Sequence, residues 1–281
     1  MMYCFLHGVL VCNYLYFANF AYNIVLKNRC IFKVNLMEAH YPRRISPCPI
    51  VETTIDIKCN MLVPKEAVVG IIYKPIQELY QNKIQIQATP IASLPEAVRE
   101  QDPKLREQPT MQSLCPEGRI LLGKNRISFS LFMPYESWEK SKMFVEKIIK
   151  VITDSKIISD IISVSIRYLD FFKDINVFDK TNLRFKWDGK EGLCARPTAF
   201  RTEISNKEDF VHSLQITNFV HLENVGLRIN ANGSLIDLTT ICTSVETDNV
   251  LERIDECHTE SKIFFFDLLN DDFISTLSPE Y

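Results

Sequence analysis

The sequence predicts an α+β fold: a largely antiparallel sheet built from hairpin, helix and strand units, with long helices packed on one face. Three observations support this prediction. Segments of alternating apolar and polar residues, typical of half-buried strands, are interspersed with segments whose apolar residues recur every three or four positions. A three-residue turn sequence joins two of the strands directly. The chain also closes on a long segment with helical periodicity.

The first half contains the clearest strand. Residues 50–58 alternate between apolar side chains on one face and Glu52, Thr54 and Asp56 on the other. A helix is predicted over residues 67–80, since Pro64 suits a first helical turn and apolar residues follow at helical spacing. We expect Pro75 to kink it.

Residues 83–88 alternate again, and residues 89–118 contain five prolines and predict a long loop. Strands at 119–122 and 126–132 flank a Gly-Lys-Asn sequence that favours a short hairpin. Ser137 is a predicted N-cap for the next helix, because its hydroxyl can accept a hydrogen bond from an unpaired backbone amide. A strand over residues 161–169 follows.

The second half is predicted to be rich in strands, at residues 183–187, 199–203, 210–220, 225–230 and 234–245. Asn232 and Gly233 form the strongest hairpin-turn signal in the chain. Asp248 is the predicted N-cap of a final helix that continues to Leu277.

Composition predicts a single α+β domain over residues 37–281, or two closely packed halves at 37–172 and 173–281. Residues 1–36 contain three basic residues and no acid, so the other 29 basic and 35 acidic residues give the body a net charge of −6. We expect this segment to be an extension upstream of a true start at Met37. The alternative is a membrane anchor, since residues 1–26 are uncharged and long enough for one span.

An acidic body argues against a protein that mainly coats nucleic acid, and we find no strong nucleic-acid signal. The nine cysteines include no Cys-x-x-Cys pair, which predicts free thiols in a reducing, cytoplasmic compartment and no metal site. The eight glycines form no phosphate-binding loop, and the sequence shows no serine elbow and no zinc-protease helix. We therefore predict no cofactor.

Three polar residues form the sharpest candidate catalytic set. Glu52 and Asp56 share a strand face, and Arg167 lies on another strand. If those faces adjoin, paired carboxylates and a guanidinium can support acid–base or metal-assisted hydrolysis. The alternative, which we favour, is a cross-strand ion pair on the open face of an antiparallel sheet.

A weaker catalytic candidate is His258, which lies beside the apolar stripe of the final helix and can also be a boundary histidine. Tyr135 and Trp138 form an aromatic corner that can bind a partner or pack against the sheet. Phe265 belongs to a run of three phenylalanines that is wider than one helical stripe, so we expect one ring to be exposed at an interface.

Four segments resemble a sporadically distributed, uncharacterised bacterial protein family of about this length. They are Pro49–Ile57 around the Val-Glu-x-x-Ile-Asp-Ile pattern, Pro134–Trp138 (Pro-Tyr-x-x-Trp), Arg167–Asp170 (Arg-Tyr-Leu-Asp) and Cys257–His258. The usual small residue after Val-Glu is Thr53 here. The resemblance covers about residues 47–277 and implies Met37 as the start. It implies no chemistry, although a scattered distribution is typical of mobile accessory genes.

The lack of a complete catalytic motif favours a non-enzymatic binding or interaction protein, such as an accessory element of a mobile or defence-type gene set. Such a protein would hold a protein partner through the sheet face and the last helix. The alternative is a hydrolase or transferase that acts on a phosphate-containing substrate through Glu52, Asp56 and Arg167.

Overall fold

The computed structural model describes residues 41–81, 83–106, 108–185 and 195–281, and residues 41–281 form one compact unit. The expectations for residues 1–36 and for Met37 lie outside the described residues. Within the described ranges, no helix combines the length and the apolar character that a membrane span requires.

One antiparallel sheet of nine strands forms the centre of the described structure, which confirms the predicted α+β class. The strands are β1 (Ile50–Met61), β2 (Gln85–Ala88), β3 (Met111–Leu114), β4 (Gly118–Leu122), β5 (Arg126–Leu131), β6 (Ile158–Lys173), β7 (Ala199–Lys207), β8 (Phe210–Asn224) and β9 (Ile229–Cys242). Their order across the sheet is β2, β3, β4, β5, β1, β6, β9, β8, β7. The two strands with candidate catalytic residues, β1 and β6, are therefore direct neighbours.

The helices in the described residues are α1 (Lys65–Leu79), α2 (Glu96–Gln101), α3 (Pro103–Arg106), α4 (Trp138–Asp154), α5 (Val250–Leu268) and α6 (Asp271–Thr276). Two 3-10 turns occur at Pro90–Ser93 and Val177–Lys180. The predicted long helix near the C-terminus is confirmed as α5, which has 19 residues.

The core consists of two apolar clusters. In the larger cluster, Ile55 and Ile57 of β1 pack with buried residues of the three long helices, among them Ile72 of α1, Phe144 of α4 and Ile254 of α5. In the smaller cluster, residues of β8 and β9 pack with the end of α5 and with α6. Each fully buried aliphatic or aromatic side chain stabilises the fold by roughly 1.5–3 kcal/mol.

The start of α4 matches its prediction. Ser137 has an extended backbone, and its Oγ accepts a hydrogen bond from the amide of Lys140 over 3.3 Å. The predicted apolar face is also present, because Val145, Ile148, Ile149 and Ile152 are buried. Capping fixes the first residue of α4, Trp138, at the junction between helix and sheet.

The prediction of one long loop over residues 89–118 is wrong. This segment contains the short helices α2 and α3 and the strand β3, which pairs with both β2 and β4. Its elements are only four to six residues long. Propensity over such short windows is weak, and pairing with β2 and β4 sets the conformation of β3.

The predicted hairpin turn at Asn232 and Gly233 is also wrong, and so is most of the strand predicted over residues 225–230, of which only residues 229 and 230 are in a strand. Both turn-signal residues lie inside β9, and the chain reverses at residues 225–228. A Cβ atom at Gly233 would overlap the carbonyl oxygen of Phe172 and lie 2.9 Å from ring carbons of Phe171. The glycine is therefore needed for close packing rather than for a turn.

Three further predictions about the second half need correction. The final helix does not continue to Leu277, because α5 ends at Leu268 and Asn270 caps the separate helix α6. Asn249, not Asp248, occupies the N-cap position of α5. Residues 183–185 are not a strand, and residues 186–187 lie outside the described part of the chain.

Candidate functional site

The candidate catalytic residues Glu52 and Arg167 meet across β1 and β6. Arg167 Nη1 donates a hydrogen bond of 2.6 Å to Glu52 Oε1. Its Nε and Nη2 donate to the two carboxylate oxygens of Asp237 in β9, both over 2.8 Å. A guanidinium with two carboxylates satisfies the fork geometry in which arginine binds most strongly. Asp237 was not among the candidates.

Asp56 belongs to a different contact on the same side of the sheet. Its Oδ1 accepts a hydrogen bond from Ser128 of β5 and lies 4.0 Å from Nε of Arg126. Apart from Asp237, the residues of both contacts line a cleft of about 700 Å³. The three candidate catalytic residues therefore do not meet at one place: Glu52 contacts Arg167, whereas Asp56 contacts Ser128. Both contacts are cross-strand pairs between neighbouring strands.

The remaining site candidates meet in a second place. Tyr135, Trp138, His258 and Phe265 all line one cavity of about 760 Å³, which we call the His258 cavity. Tyr135 and Trp138 come from the entry to α4, whereas His258 and Phe265 come from α5. Phe265 is half-buried there, and since neither neighbouring phenylalanine is exposed, the expected exposed ring is absent from this run.

Ring stacking organises the wall of this cavity. The Trp138 indole lies parallel to the His258 imidazole with ring centroids 4.3 Å apart. On the other side, Tyr168 Oη and His258 Nδ1 are hydrogen-bonded at 2.9 Å, and Tyr135 meets Tyr168 edge to face. The indole N–H donates to Asp255 over 2.6 Å. These contacts fix four aromatic side chains relative to one another.

Burial determines the protonation of His258. Desolvation, assisted by the positive charge of Lys262, lowers the pKa of His258 to about 4. The imidazole is therefore neutral near pH 7. Because one ring face is covered by Trp138 and Nδ1 is bonded to Tyr168, the histidine is held as part of the wall.

The most unusual group in the cavity is the carboxyl of Asp170. Asp170 shares the inward face of β6 with Ile166 and Tyr168, and it is only 3% exposed. It accepts no hydrogen bond and forms no ion pair within the described residues, although it lines the His258 cavity. Burial, together with the negative charge of Asp237, raises the pKa of Asp170 to about 8. Buried carboxyl groups normally have a partner.

Basic side chains line the same cavity from two directions. Arg43 and Arg44 belong to the segment that enters the sheet, and this segment is held by backbone hydrogen bonds between Arg44 and Glu280. Lys262 projects from α5 one turn after His258. Burial and the nearby charge of Arg43 lower the pKa of Lys262. None of these three basic side chains forms an ion pair within the described ranges.

Sequence reasoning missed Tyr168, Asp170 and Lys262. The sequence contained a signal for Asp170, because alternate residues of a strand share a face and position 170 is on the same face as Val164 and Ile166. Charged residues rarely occupy such core positions. Lys262 lies four residues after His258 and therefore on the same helix face. The pairing of Arg167 with Asp237 follows only from the sheet register.

Comparisons with known proteins add no assignment. The sequence matches no protein-family model, and no curated protein matches it significantly. Among the described residues, no group of three histidine, cysteine, aspartate or glutamate side chains is arranged to hold a metal ion.

Proposed function

We propose that this protein works by binding rather than by catalysis, and that the His258 cavity is its binding site. The observation that carries this proposal is the buried Asp170 carboxyl, which lines a cavity and lacks a partner among the described residues. A volume of about 760 Å³ is within the range of small-molecule sites, and aromatic walls with a few polar groups are typical of them.

The arrangement of the four segments with a family resemblance supports this choice of site. The His258 cavity is lined by Pro49 and Ile50 of the first segment and by Cys48 directly before it. Residues from each of the other three segments line it as well. A resemblance to an uncharacterised bacterial family and a role in a mobile or defence-type gene set remain parts of the proposal. Cytoplasmic location is another part, in keeping with free cysteines.

We also propose that α1, α4 and α5 pack on one face of the sheet. Their buried residues share one cluster with inward residues of β1 and β6, which supports this arrangement. The opposite face would then remain open around Arg167 and the β8–β9 turn. Phe219 and Val225, which are exposed there, favour the additional protein partner that the sequence predicts.

The alternative hydrolase or transferase has less support. Arg167 is already bound to two carboxylates, which leaves a phosphate to compete with both of them. Asp56 is bonded to Ser128 instead of facing Arg167. A catalytic pair would need to release these contacts before it could act.

Native mass spectrometry of the full chain, purified gently from its own host, tests the proposal. We expect a bound molecule that persists in the double variant Glu52→Gln/Asp56→Asn and is lost in Trp138→Ala/Phe265→Ala. Lys150→Ala, on an exposed position of α4, is the matched surface control. Retention of the same molecule by the cavity variant would refute the assignment of this site. A phosphate-releasing activity that disappears in the first double variant would instead establish the enzyme alternative.

A further inference from the structure

The His258 cavity contains a buried carboxyl group and basic side chains that are not in ion pairs with other described residues, and these groups define the chemistry of its ligand. Asp170 supplies a carboxyl group in a buried position, whereas the cations come from the exposed Arg43 and the half-buried Lys262. Within the described residues these groups do not pair with each other. A ligand that carries only one sign of charge would contact only one of these two sets.

We propose that the cavity binds a small zwitterion, with a primary ammonium group at Asp170 and a carboxylate or similar anion at Arg43 and Lys262. This inference rests on the proposed binding function and names its ligand class. A buried carboxylate gains most from a charge-assisted hydrogen bond with an ammonium. Guanidinium and ammonium groups bind carboxylates in the same way.

The aromatic walls fit the positive end of such a ligand. Tyr135 and Tyr168 line the cavity together with Asp170, and Tyr168 is two residues from Asp170 on the same strand face. Ring faces attract cations, and the attraction is larger where water is excluded. Aromatic rings next to a carboxylate therefore favour an ammonium over a neutral amide.

Proton release gives this site a distinct signature. Asp170 is largely protonated near pH 7, so pairing with an ammonium must expel its proton to solvent. Charged and titratable groups from every surrounding element either line the cavity with this carboxyl or act on it electrostatically. They are Arg43, Arg44, Cys48 and Glu280 around the entry segment, Tyr135, Glu136 and Glu139 before and in α4, His258 and Lys262 in α5, Tyr168 in β6 and Asp237 in β9.

A series of ω-amino carboxylates from glycine to 6-aminohexanoate tests the proposal and measures the spacing between the two charged sites. Trp138 reports binding by fluorescence in a Trp187→Phe background, because the chain contains only these two tryptophans. Butylammonium and butyrate are the single-charge controls. We expect the best zwitterion to bind about ten-fold more tightly than either control, as one additional charge-assisted contact predicts.

Two variants identify which end of the ligand contacts which residue. Asp170→Asn should weaken zwitterion and butylammonium binding about ten-fold and leave butyrate binding unchanged. Lys262→Met should weaken zwitterion and butyrate binding and spare butylammonium. Calorimetry at pH 7 in PIPES and in bis-Tris, which contain no primary amine and no small anion, should show proton release on zwitterion binding to the wild type and none in Asp170→Asn.

Several results would overturn the inference. Equal binding of butyrate and the best zwitterion, unchanged affinity in Asp170→Asn, or no binding of any member of the series at millimolar concentrations would each do so. The binding function is judged separately, by the molecule that the protein retains from its host. If that molecule is lost from Trp138→Ala/Phe265→Ala but carries no ammonium group, the function stands and the zwitterion assignment fails.

Discussion

Arg167 and Tyr168 are adjacent residues of β6, yet they point into two polar regions of opposite character. Around Arg167, the charges are matched by close contacts with Glu52 and Asp237. In the His258 cavity beyond Tyr168, Asp170 and Lys262 are charged or titratable groups without ion pairs among the described residues. The difference shows that the first region is satisfied by the fold itself, and it supports our proposal that a ligand completes the second.

The largest expected effect is at Asp170 in the His258 cavity. Because the pKa of Asp170 is raised from 3.8 to about 8, the folded state keeps a proton that the unfolded state loses, and stability falls as pH rises through this window. The Asp170→Asn variant does not lose stability in this way, because an amide does not titrate. We expect it to be more stable than the wild type by roughly 5–6 kcal/mol at pH 9, since a tenfold change in proton affinity corresponds to about 1.4 kcal/mol and the pKa is raised by about four units.

Urea unfolding at pH 5 and pH 9 measures this effect. The advantage of Asp170→Asn should shrink to about 1–2 kcal/mol at pH 5, because that pH is only slightly above the ordinary pKa of an unfolded aspartate. Asp160→Asn, at an exposed position of the same strand, is the control. An advantage that is equal at both pH values would show that Asp170 is not buried in the folded protein.

His258 sharpens the comparison on the acid side. Its pKa is lowered from 6.5 to about 4, so below pH 6.5 the unfolded state binds a proton that the folded state does not. The free energy of unfolding therefore decreases as the pH is lowered. His258→Gln should be less stable than the wild type at pH 7, and the gap should shrink by about 2 kcal/mol by pH 4.5. Tyr135→Phe is the control, because the pKa of Tyr135 is raised to about 12 and its hydroxyl does not titrate in this range.

The matched region should respond differently. Arg167→Met leaves Glu52 and Asp237 as two neighbouring acids, so we expect a loss of about 1–2 kcal/mol that shrinks as salt screens their repulsion. Unfolding free energies at low and high salt measure this loss. Arg201→Met removes an exposed pair with Glu203 and should cost under about 0.5 kcal/mol. Equal costs for the two variants would contradict the importance of the bidentate contact.

The smallest effect should come from the helix that supports the cavity. Ser137→Ala removes the cap of α4 and should cost about 1 kcal/mol. Ser163→Ala, at a half-buried position of β6 whose hydroxyl makes no hydrogen bond among the described residues, is a matched control. Thermal unfolding distinguishes the two, and a loss in the control as large as that in Ser137→Ala would argue against capping as the cause.

Local patterns were sufficient for the elements with strong periodicity. The alternation in β1, the cap at Ser137 and the helical spacing in α5 all determine structure through neighbouring residues. Gly233 shows where such reasoning fails, because its role depends on Phe171 and Phe172, about sixty residues earlier. The same holds for the candidate sites. The sequence identified single residues such as Trp138 and His258, but it did not identify Asp237 or Tyr168, whose contacts depend on the order of the strands.

The sheet is thin enough for a charge on one of its faces to change the pKa of a group on the other face. Asp237 lies on the Arg167 side of β9, but its charge still raises the pKa of Asp170 on the other side. An event that draws Arg167 away from Asp237 would therefore tighten the proton on Asp170 and oppose ammonium binding, with no movement of the backbone. In Arg167→Met, ω-amino carboxylate binding should shift to higher pH, and an unchanged pH profile would show that no such signal crosses the sheet.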